Sequence, residues 1–216
     1  MRAVRPGRHT VDEGCLGVTR AAVVDYDLGN MPSVTKALER VGVEVTVVET
    51  AGEIDADVLV VPGVGHFGTG ARNLRERGFD TAVKDWAAAG KPLLGICVGL
   101  QLFMDSSDED PDERGLGIVP GHVRRLSAPK VPHMGWNTLE VSKGARVLSV
   151  VKPGEMAYFV HSYYVDPEPA AVAATTTYEE TFCSAVEMDN VVGVQFHPEK
   201  SSDVGRRVLA RFFESL

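Results

Sequence analysis

The sequence has no surplus of basic residues, few cysteines and no long apolar run, and each shortage excludes a class of function. Its 22 lysines and arginines face 30 acidic residues, a net charge of −8 that argues against nucleic acid or an anionic membrane surface as a general partner. The three cysteines, Cys15, Cys97 and Cys183, are an odd and sparse set rather than a disulfide framework, and a reducing cytoplasm suits them. No apolar stretch approaches the ~20 residues that a membrane-spanning helix requires. Asp105 to Glu113 is rich in carboxylates but lacks calcium-loop spacing, so it reads as a solvated acidic surface loop. No metal and no cofactor are expected.

What remains is an ordinary globular composition, 44% hydrophobic and 24% charged, in a chain long enough for one sizeable domain. Residues 1–19 show neither helical nor strand period and read as a flexible N-terminal extension, with a single domain over 20–216. Apolar runs at Arg20 to Asp25, Val43 to Val48 and Val58 to Val61 read as strands. A helix from about Pro32 and two amphipathic helices over 67–89, broken near Gly78, alternate with them. That alternation implies a parallel sheet. Beyond Gly115 the strands shorten, at 117–126, 137–141, 157–164, 171–177 and 182–188, and suggest antiparallel additions to the sheet. A closing helix over 203–216 turns Val204, Val208, Leu209, Phe212 and Phe213 inward.

The chemistry concentrates at two strand ends. Leu93 to Ile96 is a short buried strand running into a helix-like stretch, and Gly95-Ile96-Cys97-Val98-Gly99 joins them. Glycines on both flanks suit a sharp strand-to-helix turn, because the apex residue sits in strained backbone and neighbouring side chains would clash. Such a turn lifts Cys97 to the carboxyl end of the sheet, where α/β proteins bind ligands, and a helix N-terminus behind it favours the thiolate. A buried core cysteine is the alternative. Far downstream, Val191 to Phe196 ends in His197-Pro198-Glu199. A reactive thiol needs a base, and the base needs a carboxylate to fix its tautomer. His197 and Glu199 are two apart and share a side of an extended segment. A plain turn is the alternative for this segment alone; the two strand-end motifs together point to a Cys-His-Glu triad.

GICVGLQ together with QFHPE resembles the class I, triad-type glutamine amidotransferases. DYDLGNMPSV (25–34), VPGVGHFGTG (61–70), GLGIVPGHV (115–123), KVPHMGWN (130–137), YFVHSYY (158–164) and QFHPEKSS (195–202) narrow it to the glutaminase subunits of imidazole glycerol phosphate synthase, over about residues 20–216. The resemblance implies a three-layer α/β fold, a mostly parallel central sheet with helices on both faces and added antiparallel strands. It implies Cys97, His197 and Glu199 as the triad, an oxyanion hole from Gly63, Val64 and Val98, and glutamine held by Gly65, Gln101, Ser162 and Tyr163. His66 is left as loop packing. The resemblance also implies a separate (β/α)₈-barrel cyclase subunit as heterodimer partner, since such a barrel takes roughly 250 residues that this domain does not have. That cyclase consumes the ammonia in histidine biosynthesis. Asn30, Trp136 and Lys200 match the family's contact surface, with a core position the alternative for Trp136.

Small departures from the family pattern are Val98 and Leu100, where leucine and methionine are usual, and Cys183, where proline or an aromatic is common. The rival readings are the glutaminase of pyridoxal phosphate synthase, which carries G-G-E-S-T where this chain has Pro62-Gly-Val-Gly-His, a γ-glutamyl peptidase, and a non-catalytic regulatory subunit. An intact triad argues against the last.

Overall fold

The computed structural model describes residues 18–216, so the expected extension, with His9 and Cys15, lies outside the described residues except for its last two positions. The first half alternates as expected: β1 (Arg20–Val24), α1 (Met31–Glu39), β2 (Glu44–Val48), β3 (Val58–Gly63), α2 (Phe67–Glu76), α3 (Phe79–Ala88), β4 (Leu93–Cys97) and α4 (Val98–Leu102). Gly78 separates α2 from α3 at φ +73, a backbone that glycine adopts without a Cβ penalty. Every residue of β3 and β4 is buried. This is what strands covered on both faces require, and it explains their unbroken apolar runs.

The second half comprises β5 (Ser106–Ser107), β6 (Gly121–Arg125), β7 (His133–Thr138), β8 (Glu140–Val141), β9 (Met156–His161), β10 (Tyr163–Pro167), β11 (Val172–Tyr178), β12 (Glu180–Met188), β13 (Val191–Val194) and α5 (Ser202–Glu214). The central sheet runs β2-β1-β3-β4-β13-β12-β10-β6-β5, with β11 and β8 branching beside β12. Its β2, β1, β3, β4 and β13 are parallel, and the antiparallel additions begin at β12. Last in the chain among these parallel strands, β13 inserts next to β4 with Val194 opposite Ile96. That insertion brings the two motif-bearing strand ends together across 100 residues of sequence.

Three expectations are corrected. The strand placed at 137–141 is divided at Leu139: its first part belongs to β7, which starts at His133 and pairs with β9 in a separate two-stranded ribbon, and its second part is β8, which joins the central sheet along β11. The strand placed at 157–164 is two strands. It breaks at Ser162, whose carbonyl accepts from the Leu126 amide, and continues as β10 along β6 in the other sheet. The acidic loop is not simply solvated: Asp105 accepts from the Gly121 amide at 2.9 Å, Asp108 meets His122 at 2.7 Å, and Glu113 pairs with Arg72 and Arg75. Among the described residues no helix is long and apolar enough to cross a membrane.

Candidate active site

At the end of β4 the backbone of Cys97 takes φ +53 and ψ −109 and enters α4 at the next residue. A non-glycine residue rarely adopts such a φ, so the turn is strained and its surroundings must hold it. The flanking glycines show how. A Cβ on Gly99 would lie 1.8 Å from the Val61 carbonyl oxygen, and one on Gly95 would lie 2.9 Å from the Leu100 backbone. α4 therefore lies against both β3 and β4 backbone to backbone. α4 is only five residues long and buried on every side, not an amphipathic helix, so the N-terminal field behind Cys97 is that of a single turn.

β13 delivers the second motif beside this bend. Gln195 Nε2 lies 3.6 Å from Cys97 Sγ. Two residues on, His197 is buried, and its Nδ1 meets Glu199 Oε1 at 2.8 Å, with both side chains no more than 3% exposed. The carboxylate thus fixes the tautomer and leaves Nε2, which is buried and without a hydrogen-bond partner. Burial disfavours the charged imidazole, but interaction with Cys97 and then Glu199 outweighs it and pushes the His197 pKa up to about 10. The ring stays protonated through neutral pH. Its backbone is anchored on the ribbon: His197 N–H donates to the Tyr158 carbonyl at 2.9 Å, and Ser201 Oγ bridges the His197 carbonyl and the Tyr158 amide.

Cys97 opens into a cavity of about 230 Å³, also lined by Val64, Gly65, Val98, Gln101, Ser162 and Tyr163. That is below the usual ~300–1,000 Å³ of drug-sized sites and suits an amino acid. Gly63 lines no part of it. It pairs with Cys97 across β3 and β4, and a Cβ there would sit 2.3 Å from Tyr26 Oη. Gln101 turns both amide hydrogens inward, to the Tyr163 carbonyl at 2.9 Å and to Gln195 Oε1 at 3.1 Å, so its own oxygen is what it can offer a ligand. Sequence reasoning missed Glu109, the one carboxylate among the described residues that line the cavity, and also His161 and Gln195. Glu109 was hidden among the other acids of its loop; its Oε2 accepts from the Phe67 amide at 2.7 Å, which pins the loop over α2. His66, expected only to pack, caps α2 through Nδ1, which accepts from Gly68 N–H at 3.1 Å.

Trp136 is 49% exposed, which rules out the core alternative. It stands edge-on to Tyr158, with ring centres 6.0 Å apart, and Lys200 Nζ lies 5.9 Å from the same ring. Met134 and Met156 are exposed on the same ribbon. Asn30 is exposed as well, but its Oδ1 is engaged at the start of α1, where it accepts from the Ser33 amide at 3.3 Å.

Residues 22–216 match the family model for glutamine amidotransferase class-I. The chain is 46% identical to imidazole glycerol phosphate synthase subunit HisH of Carboxydothermus hydrogenoformans, over 90% of this chain and 98% of that protein. It is 47% identical to the protein of the same name from Aquifex aeolicus, over 89% and 95% of the two chains. Among solved structures, PurLQS from Thermotoga maritima superposes with a TM-score of 0.75 at 22% identity, covering 92% of this chain and 99% of that one, a likeness of fold.

Proposed function

The chain belongs to the class-I glutamine amidotransferases and, within them, to the imidazole glycerol phosphate synthase HisH subunits, and from that premise we propose that it hydrolyses glutamine through Cys97, His197 and Glu199 and hands the ammonia to a partner subunit. The observation that carries the reading is the strained Cys97 at the mouth of an amino-acid-sized cavity beside a buried His197–Glu199 pair.

The Cys97 thiolate attacks the side-chain carboxamide carbon of glutamine; a C–S bond forms and the carbonyl electron pair moves onto oxygen. Backbone N–H groups of Val64 and Val98 stabilise that charge, and Gly63 lets the loop approach the bend. His197, protonated at neutral pH, gives its proton to the departing nitrogen as the C–N bond breaks, leaving a thioester. Neutral His197 then takes a proton from water, which attacks the thioester and releases glutamate and the thiolate. Glu199 holds the imidazole throughout. Gly65, Ser162, Tyr163 and the Gln101 oxygen hold the α-carboxylate and α-amino groups, and Glu109 supplies the negative charge that an α-ammonium requires.

The partner is a (β/α)₈-barrel cyclase in a heterodimer, which uses the ammonia to form imidazole glycerol phosphate and aminoimidazole carboxamide ribotide in histidine biosynthesis. It docks on the ribbon face bearing Trp136, with Lys200 and Asn30 at the contact. A reducing cytoplasm, which keeps a free thiol nucleophile reduced, suits the pair. The test is glutaminase activity with and without the cyclase and its ligand: low turnover alone and strong stimulation are expected, and equal activity in both would refute the coupling. Cys97→Ala should abolish glutamine use and leave ammonia-dependent synthesis by the complex intact.

A further inference from the structure

His133 and His161 are both buried, from two strands of the ribbon, and stand opposite one another in register. Nothing in the hydrolysis uses them. Their hydrogen bonds nevertheless admit one assignment. His161 Nδ1 lies 2.9 Å from the Tyr163 carbonyl, which can only accept, so Nδ1 carries the proton and Nε2 is an acceptor. His133 Nδ1 lies 3.0 Å from that Nε2 and must therefore donate. His133 Nε2 then accepts from Asn137 Nδ2 at 3.2 Å. Both rings are neutral and both are Nδ1–H tautomers.

The chain does not stop at Tyr163. The same carbonyl accepts from Gln101, whose second amide hydrogen reaches Gln195, and Gln195 reaches the Cys97 sulfur. An unbroken series of hydrogen bonds thus connects β7 with the nucleophile, passing through the 161–163 corner that walls the cavity. Along β7, the inward His133 and Asn137 flank the outward Met134 and Trp136, so the strand that presents the docking face also carries the head of the series. His133 is held in place by stacking between Phe159, at 4.9 Å, and Tyr178, at 4.2 Å.

We propose that His133 and His161 are positioning residues for glutamine: their fixed-tautomer relay holds the Tyr163 carbonyl, and through it Gln101 and the pocket corner, in register with the ribbon. This rests on the cavity being the glutamine site.

The closing experiment uses the full chain in complex with the cyclase. His133→Phe keeps the stacked ring and removes the donor; His133→Asn keeps a donor where Nδ1 stood. For His133→Phe the glutamine KM should rise about tenfold, the worth of one lost hydrogen bond, with kcat within about threefold. His133→Asn should recover most of that loss, and ammonia-dependent synthesis should be unchanged in both. An unchanged KM in a folded His133→Phe complex, or equal defects in the two variants, would overturn the relay. Imidazole nitrogen NMR of the wild-type chain reads it without any assay: Nδ1–H on both rings supports it, and Nε2–H on either refutes it. If the wild-type complex fails to use glutamine while both rings are Nδ1–H, the functional reading falls and the relay's geometry stands.

Discussion

The parallel half of the sheet and the two-stranded ribbon both reach the reactive centre, but they hold it by different means. β3 and β4 do so with backbone against backbone, every residue buried, and the bend at Cys97 set by contacts that leave no room for a methyl group. The ribbon is half exposed; it holds His197 through the backbone of Tyr158 and the cavity corner through a line of side-chain hydrogen bonds. Close packing fixes atoms to within fractions of an ångström and tolerates no change. Hydrogen-bonded side chains can shift together, so the ribbon suits a face that must respond to a partner.

The largest break falls on the parallel side. Gly99→Ala places a Cβ against the Val61 carbonyl, with backbone on both sides of the clash and no flexible side chain to yield. Either β3 and α4 separate or the bend moves. A displacement of about 1 Å at the nucleophile costs on the order of 10²-fold or more in rate. Glutaminase activity of the complex should fall at least that far, with a lowered melting temperature. Near-normal activity would show that the bend is held by something other than these contacts.

The ribbon side should behave in the opposite way. Trp136→Ala removes a side chain that is 49% exposed and touches Tyr158 edge-on, so the melting temperature of the isolated chain should hardly move. Affinity for the cyclase should drop by about 30-fold, the ~2 kcal/mol typical of an aromatic anchor at an interface centre. Titration of the two subunits by calorimetry measures it. A large loss of stability with unchanged affinity would turn the ribbon into a structural element.

This division also explains how much could be read before the fold was known. The parallel strands, the glycine-flanked cysteine and the His-Pro-Glu strand end were legible because buried parallel strands are continuous apolar runs and the bend demands glycine at set positions. The ribbon was not. His133 to Thr138 alternates buried and exposed residues, but with His, Gly and Asn as the inward set it lacks the apolar period that marks a strand. The break at Ser162 leaves no local signal either: Val160, Ser162 and Tyr164 continue the pattern, and only pairing with β6 shows that the chain has changed sheets. Glu109 has no feature that separates it from Asp108 and Asp110; what distinguishes it is a tertiary bond to the Phe67 amide.

The smallest expected effect is on stability against acid, and it isolates the ribbon's buried imidazoles. Burial pushes the pKa of His133 down to about 4, and burial chiefly pushes that of His161 down to about 3, with repulsion from His133 and His197 adding to it. An unfolded imidazole titrates near ~6.5, so between that pH and the folded values the unfolded chain binds more protons than the folded one. The stabilisation that comes from keeping these two rings neutral is therefore complete above pH ~6.5 and is lost as the pH falls toward 4, by up to ~1.4 kcal/mol per pH unit for each ring. The groups packed on the pair are Phe159, Tyr178 and Phe182, with Asn137 and the Tyr163 carbonyl at its ends and no carboxylate in hydrogen-bond contact with either ring. Carboxylates elsewhere begin to titrate only toward the lower end of this window, so the upper part, pH 6.5 to 5.5, reports on histidines. His133→Phe removes one ring from the count and should flatten the slope of unfolding free energy in urea by about half a proton at pH 6.5, rising to about 0.9 proton at pH 5.5. An unchanged slope would mean that folded His133 takes up its proton over the same interval as the unfolded ring, and a steeper slope that it keeps its proton throughout; either would exclude a neutral relay.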